Sequence, residues 1–329
     1  MALTDNVYVI NLDRSKDRWD DMIAQQHILQ RPFIRIPAVD GKLMTPERRA
    51  NVSSPICNRL CTDTMIGIFM SHKLAWETIL KNGDKCAIVF EDDCIISPDA
   101  TSNIDLALNE LNAHDQDWDI LYLGNSGAAN PQQKYPWLTR FVLNFASHLN
   151  RTPFFLGNQV YVPELPLGLH GYIVSRNGAR HLLNELQLAS YHIDFEIVRH
   201  SENLKLYATK KTIANQTMSP QTSTQIGSNF PALFNNVLVL AFDSDHSMYS
   251  NFLSAPFCQI SGIRVSPYLL FTIVFCVLIP ISWTFWVNSL LIAWLVFELR
   301  LNISEWSQII TYLISIHIIL YSKYYIGTL

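Results

Sequence analysis

Charge is what this sequence has least of. Charged residues make up 16% of its 329 positions, against about 25% in an ordinary soluble globular chain. The deficit is local. From position 265 to 329 the only charged side chains are Glu298, Arg300, Glu305 and Lys323, so 48 of the 52 charges fall in the first 264 residues. No block of Lys or Arg occurs and the formal net charge is −4, which excludes a general nucleic-acid binder, because that class needs a basic face to displace counterions. Cysteine is also sparse. The six at 57, 61, 86, 94, 258 and 276 are too scattered for a disulfide scaffold. Cys57 and Cys61 have no second ligand pair at zinc spacing, so unpaired thiols are expected. Internal repeats and low-complexity tracts are missing. The opening Met-Ala-Leu-Thr-Asp has no basic stretch, and Val7 to Ile10 is too short for a signal-peptide core. The first domain is therefore expected in the cytosol, with the sequons at Asn51, Asn150, Asn215 and Asn302 unmodified.

What is present at the end of the chain is long apolar runs. Thirty-three uncharged residues separate Arg264 from Glu298, and 17 separate Glu305 from Lys323, where a bilayer core takes about 20. Pro280 falls inside the first run and would kink a helix there or turn it back. The expected organisation is a catalytic domain over 1–230, a juxtamembrane linker over 231–264, and a membrane anchor over 265–329 with about two spans, 265–297 and 306–326. Two spans put Arg264 and Lys323 on the cytoplasmic side, as the positive-inside bias prefers, and the first domain with them.

In the first domain short β-branched runs alternate with helical spacing. Strands are expected at Asn6–Leu12, Phe33–Ile36, Lys85–Glu91, Asp119–Gly124 and Gly171–Ser175. Helices are expected from Asp13 or Ser15 to about His27, over Ser71–Leu80, Ile104–Leu111 and Asn177–Leu188. This predicts an α/β domain with a mainly parallel sheet, which binds ligands at the carboxyl ends of its strands. Gly124 to Pro166, rich in Asn, Gln, Pro and aromatics, reads as an insertion or lid whose Tyr135, Trp137, Phe154, Phe155 and Tyr161 suit core packing or membrane contact at least as well as sugar stacking.

Glu91-Asp92-Asp93 stands directly after the strand Ala87 to Phe90. Three adjacent carboxylates repel unless a cation sits among them, and hard oxygens suit Mg²⁺ or Mn²⁺. Alone, such a triplet also fits a solvated turn or a helix cap. Asn11-Leu-Asp-Arg-Ser-Lys-Asp-Arg18 places Arg14, Lys16 and Arg18 beyond the first strand, and guanidinium forks recognise phosphate. Metal and arginines on one sheet edge together suggest a nucleoside diphosphate.

The blocks Val9 to Arg18, Ile36-Pro-Ala-Val-Asp-Gly41, Gly67 with Ser71-His72 and Trp76, Val89 to Asp93, and Asp119 to Gly124 resemble glycosyltransferase family 25, the lipooligosaccharide and collagen galactosyltransferase family. Gly168, Tyr172, Ser175, Gly178-Ala179, Asp194, Pro220 and Gln225 extend the likeness over roughly 5–230. The resemblance implies a GT-A-like nucleotide-sugar-binding domain that moves a hexose, often galactose from UDP-galactose, to a hydroxyl with inversion. It implies Asp92 and Asp93 as metal ligands, and Asn11, Arg14, Arg18 and Glu91 on the donor side. Ser71 and His72 match a block of unassigned role. Ile68 and Leu169 depart from the family's usual Cys and Thr, which makes the acceptor less transferable than the reaction.

An inverting transfer also needs a base for the acceptor hydroxyl. Asp194 and Glu196 are the candidates and Asp194 is preferred, with Asp93 the second catalytic candidate; Asp194 would equally suit the N-cap of the helical stretch Phe195–His200. His200 is a lesser metal candidate. The expected protein is a membrane-anchored hexosyltransferase that uses a divalent metal and a UDP-sugar to extend a lipid-linked or lipopolysaccharide-type glycan. A catalytically silent membrane protein that binds a sugar nucleotide, and a metal-dependent phosphodiesterase, are the alternatives.

Overall fold

The β-branched run after Asn6 forms strand β1 (Val7–Asn11), buried at every position. Burial on both faces is what a central strand with helices above and below requires. In this computed structural model residues 4–125, 131, 153–216, 256, 258–260, 263–301 and 306–326 are described. The chain divides into two units, Met1–Asn58 with Asp63–Thr217, and Arg59–Thr62 with Met218–Leu329.

The first unit is built on an eight-stranded sheet. Its strands are β1, β2 (Phe33–Pro37), β3 (Cys86–Glu91), β5 (Ile120–Tyr122), β6 (Phe154–Phe155), β7 (Val160–Val162), β8 (Gly171–Ser175) and β9 (Leu206–Thr209), in the order β2-β1-β3-β8-β5-β9-β7-β6. Six strands run one way, while β7 and β8 run against them. The sheet is thus mainly parallel with two reversed strands, a mixed α/β arrangement compatible with a GT-A-like fold. Because β8 is reversed, its first residue Gly171 lies opposite Phe90, so the segment before β8 reaches the carboxyl end of β3. A separate two-stranded ribbon pairs β4 (Cys94–Ile96) with β10 (Ala214–Gln216).

Helices α1 (Lys16–Leu29), α4 (Asp63–Asn82), α5 (Ala100–His114), α6 (Arg176–Glu185) and α7 (Ile193–Arg199) flank the sheet or its ends, with α2 (Pro46–Val52) and α3 (Pro55–Leu60) as short pieces between β2 and α4. The core joins strand residues Val9, Ile88, Phe90 and Leu121 to Met22 of α1 and Leu108 and Leu111 of α5. Long α4 buries Phe69, His72, Ala75, Trp76 and Ile79, and its Gly67 lets it come close to the β2–α2 loop: a Cβ at 67 would lie 2.7 Å from the Val39 carbonyl oxygen and 2.9 Å from Gly41 N. Cys57 and Cys61 are disulfide-bonded, which corrects the expectation of unpaired thiols. Four-residue spacing across a helical turn brings two Cα atoms to about 6 Å, within bridging range. Among the described residues Cys94, Cys258 and Cys276 are free thiols.

In the second unit a small hairpin, β11 (Cys258–Ile260) with β12 (Ile263–Val265), precedes α8 (Pro267–Leu278), α9 (Thr284–Leu301) and α10 (Trp306–Ile326). The apolar run 265–297, expected as one span, is broken. Ile279 and Pro280 both adopt extended backbone, because proline cannot continue a helix and disfavours helical geometry in the residue before it. Twelve residues make α8 about 18 Å long, short of a bilayer core. Among the described residues one helix, Ile281–Arg300, is long and apolar enough to cross a membrane. The exposure pattern is inverted relative to a water-soluble bundle. Phe271, Leu278, Phe285 and Leu290 are 62–75% exposed, whereas Glu298 is fully buried, with Trp294 donating to its carboxylate at 3.0 Å. The expected linker 231–264 lies largely outside the described residues, as do Tyr135 and Trp137.

Candidate active site

Asn11 ends β1, Glu91 ends β3, and Asp92 and Asp93 form the turn into β4. Parallel pairing of β1 with β3 matches Ile10 to Glu91, so both strand ends open on the same edge. Buried Asn11 organises it. Its Nδ2 donates to Asp92 Oδ2 at 2.7 Å and to the Ser15 carbonyl at 2.9 Å, while its Oδ1 accepts from Arg35 Nε at 2.7 Å. Arg18, on the first turns of α1, sets a guanidinium nitrogen 3.0 Å from Asp92 Oδ1, with the two side chains only 17% and 11% exposed. Each oxygen of Asp92 therefore receives a donor. Arg14 is not brought to the acidic turn; it is half-exposed and pairs with Asp40.

Asp93 Oδ2 accepts from Gln216 Nε2 at 3.0 Å. The register of the small ribbon explains that contact, because Gln216 stands opposite Cys94. Burial first, and the neighbouring Glu91 charge next, push the Asp93 carboxyl up to about 7. Glu91 is pushed up to about 8, by burial and then by the charges of Asp194 and Asp92.

Glu91 is also the end of a buried polar chain. His72 Nε2 lies 3.1 Å from Glu91 Oε1, His72 Nδ1 lies 3.0 Å from the Tyr172 hydroxyl, and Trp76 Nε1 donates to that hydroxyl at 2.9 Å. Burial holds the imidazole down at about 4, against the opposing pull of Asp194, so it is neutral at pH 7. Ser71, its neighbour on α4, instead accepts from Val39 N at 2.8 Å and donates to the Gly67 carbonyl at 2.7 Å, fixing backbone rather than facing the site.

Asp194 sits in the first turn of α7, where His192 is the N-cap. Its Oδ2 accepts from Gly168 N at 2.9 Å, and Gly168 presents that N–H from φ +93°, a conformation suited to glycine. Its charge bears on Glu91, His72 and Tyr172, which places it at the same edge. Glu196 is turned to Arg199 at 3.0 Å and His200 to Glu185 at 3.1 Å, so neither joins the site.

Among the described residues no group of three or more His, Cys, Asp or Glu is arranged to hold a metal ion. A hard cation needs fewer. Mg²⁺ commonly binds through one or two carboxylates, with substrate phosphate and water filling the shell. Asp92 and Asp93 fit that requirement chemically, and a cation would relieve the negative charge that burial and the neighbouring Glu91 disfavour at Asp93. Arg35, Gln216 and Tyr172 carry no role in the sequence reading. Tyr172 falls inside a family-like block, but nothing local to Arg35 or Gln216 marks them, since their partners lie 24 and 123 positions away.

An acidic turn, an arginine and an asparagine thus meet at the carboxyl edge of an α/β sheet, where such sheets bind their ligands. The family model of glycosyltransferase family 25, described as an LPS biosynthesis protein family, matches residues 4–197. The chain belongs to glycosyltransferase family 25. It is 26% identical over 190 residues to procollagen galactosyltransferase 1-B of Xenopus laevis, a match covering 55% of this chain and 28% of that protein. It is 28% identical over 128 residues to procollagen galactosyltransferase 2 of Homo sapiens, covering 36% and 20%. It is also 28% identical over 138 residues to inactive glycosyltransferase 25 family member 3 of Homo sapiens, covering 40% and 23%. The matches thus span about a quarter of the length of those relatives.

Proposed function

We propose that this chain is a membrane-anchored galactosyltransferase-type enzyme that moves a hexose from a UDP-sugar, with inversion, to a hydroxyl of a lipid-linked or lipopolysaccharide-type glycan. The observation that carries the reading is the convergence of Asn11, Arg18, Glu91, Asp92 and Asp93 on one sheet edge. Family membership supports the transfer, and the relatives named procollagen galactosyltransferases support galactose as the sugar.

In this reading Asn11 and Arg18 set the orientation of Asp92, and Arg18 presents positive charge to the diphosphate. Asp92 and Asp93 would hold a divalent cation, which supplies charge neutralisation to the leaving diphosphate. Asp194 takes the acceptor proton as the hydroxyl attacks the anomeric carbon from the face opposite the departing phosphate. Its oxygen on Gly168 N–H is held, which leaves the other for the acceptor.

The anchor reading rests on exposure. A surface clad in Phe271, Leu278, Phe285 and Leu290 around a buried Glu298 suits lipid and not water. Anchoring holds the catalytic unit close to an acceptor that is itself in the membrane. The catalytic unit faces the cytosol, where protease added to sealed vesicles of cytosolic-side-out orientation is expected to reach it. The nearly complete burial of Cys57 and Cys61 shields their bond from exchange with cytosolic thiols.

The test is a donor screen on the full chain in detergent, following diphosphate release from UDP- and GDP-sugars with Mn²⁺, Mg²⁺ or EDTA. Release from one UDP-hexose, abolished by EDTA, is expected. Donor binding without turnover in the presence of glycolipid acceptors would assign the chain to a silent role, like that of the relative named inactive. Release of nucleoside monophosphate and sugar phosphate without any acceptor, unchanged when acceptor is added, would favour a phosphodiesterase.

A further inference from the structure

The buried chain from Trp76 to Glu91 has a direction, and proton counting fixes it. Trp76 offers an N–H and no acceptor, so at 2.9 Å the Tyr172 oxygen accepts from it. Tyr172 has one proton to give, and His72 Nδ1 at 3.0 Å is the acceptor placed for it. A neutral imidazole carries one proton. With Nδ1 accepting, the proton sits on Nε2, which donates to Glu91 Oε1 at 3.1 Å. The reverse direction would leave the Tyr172 proton without an acceptor in a fully buried place, at the desolvation cost of an unmade hydrogen bond. Packing holds the three rings in register. His72 lies 5.8 Å from the Tyr172 ring and 6.3 Å from the Trp76 ring, centroid to centroid.

We infer that Trp76, Tyr172 and His72 form a one-way relay that makes His72 a positioning residue for Glu91, pinning Oε1 and leaving Oε2 to meet a hydroxyl of the donor hexose. The Glu91 side chain retains 20% exposure at the sheet edge, whereas His72, Trp76 and Tyr172 are buried. Of the groups facing the relay, Asp194 and Glu91 are the acidic ones that bear on it. The role at a donor sugar rests on the transferase reading above; the tautomer does not.

Two measurements on the full chain in detergent test it. The first is ¹⁵N NMR of histidine-labelled protein, with the His72 resonances assigned by their absence in His72→Gln. The wild type should show a protonated Nε2 and a bare Nδ1, and Tyr172→Phe should release the ring into a mixture of tautomers. The second is hexose transfer from UDP-galactose. His72→Met should lower kcat by about tenfold to a hundredfold, the range for leaving a buried polar group without its hydrogen-bond partner, with KM changed less than about threefold. His72→Gln, whose amide can donate to Glu91, should recover most of that loss. A protonated Nδ1 in the wild type, or equal impairment of the Met and Gln variants, overturns the inference. Wild-type protein that turns over no sugar nucleotide overturns the transferase reading and the role at the sugar, while the tautomer result still decides the relay.

Discussion

Replacing His170 with Gln should flatten the acid limb of the stability curve by an amount the structure sets. His170 is buried just before β8, with Nε2 3.1 Å from the Ala214 carbonyl oxygen and Nδ1 without a partner among the described residues. Burial, only partly countered by that carbonyl, holds the imidazole down to about 4. The unfolded chain takes up the proton near ~6.5. A depressed folded pKa gives stability that is whole above the unfolded value and is lost as pH falls, because the unfolded state then binds a proton that the folded state refuses. Between pH 7.5 and pH 5 this amounts to about 2 kcal/mol. His72, also held at about 4, adds a similar loss, whereas Glu91 and Asp93, raised to about 8 and 7, gain as pH falls. The total curve mixes these signs, so the diagnostic quantity is the difference between wild type and His170→Gln, which keeps an N–H for the Ala214 carbonyl. Urea unfolding at both pH values, followed by fluorescence of the buried Trp76 and Trp118, measures it. Parallel pH dependence in the two proteins, within about 0.5 kcal/mol, would refute the buried neutral imidazole.

Other outcomes follow from the same geometry. Asp194→Asn should lower kcat by about 10²- to 10⁴-fold, the range for loss of a general base, with donor KM little changed in steady-state transfer assays. Arg18→Met removes the partner of a carboxylate that is 11% exposed and should cost about 1–3 kcal/mol in urea unfolding, less than a fully buried pair because both ends keep some solvent; donor KM should rise with it. Gly67→Ala drives a Cβ to within 2.7 Å of the Val39 carbonyl oxygen and should cost about 1–3 kcal/mol as overpacking, read as a lowered urea midpoint at unchanged slope. A chain cut before residue 264 should leave the membrane fraction on vesicle flotation, and its continued co-flotation would refute the anchor.

Most strand and helix positions in the first unit were legible because they depend on local patterns. The runs at β1, β3 and β8 are β-branched and apolar, and α1 and α6 start at serines. The acidic turn was legible for the same reason: adjacent like charges after a strand are a local anomaly. Harder elements are those whose partners are remote. Strands β7 and β9 are short, and β7 with its hairpin is held by Glu110, which accepts three backbone N–H groups from residues 158, 159 and 160 at 2.8 Å each. No pattern in either segment announces that pairing. The break of the first apolar run at Pro280 was written in the residue itself, while the shortness of α8 that results needed the structure.

By itself the sequence determined most elements of the first unit, the apolar end and the acidic turn, because propensity, periodicity and clustered charge act over a few residues. Only tertiary structure decided which side chains meet. It gave Asp92 to Asn11 and Arg18, left Arg14 with Asp40, and set Asp194 on Gly168 at the same edge as Glu91. It also joined His72 to Tyr172 across 100 positions. The physical reason is that hydrogen bonds and buried charges are short-ranged and directional, so their partners are fixed by sheet order and register, and reversed β8 carries Tyr172 to the end of β3 where the sequence alone assigns it no neighbour.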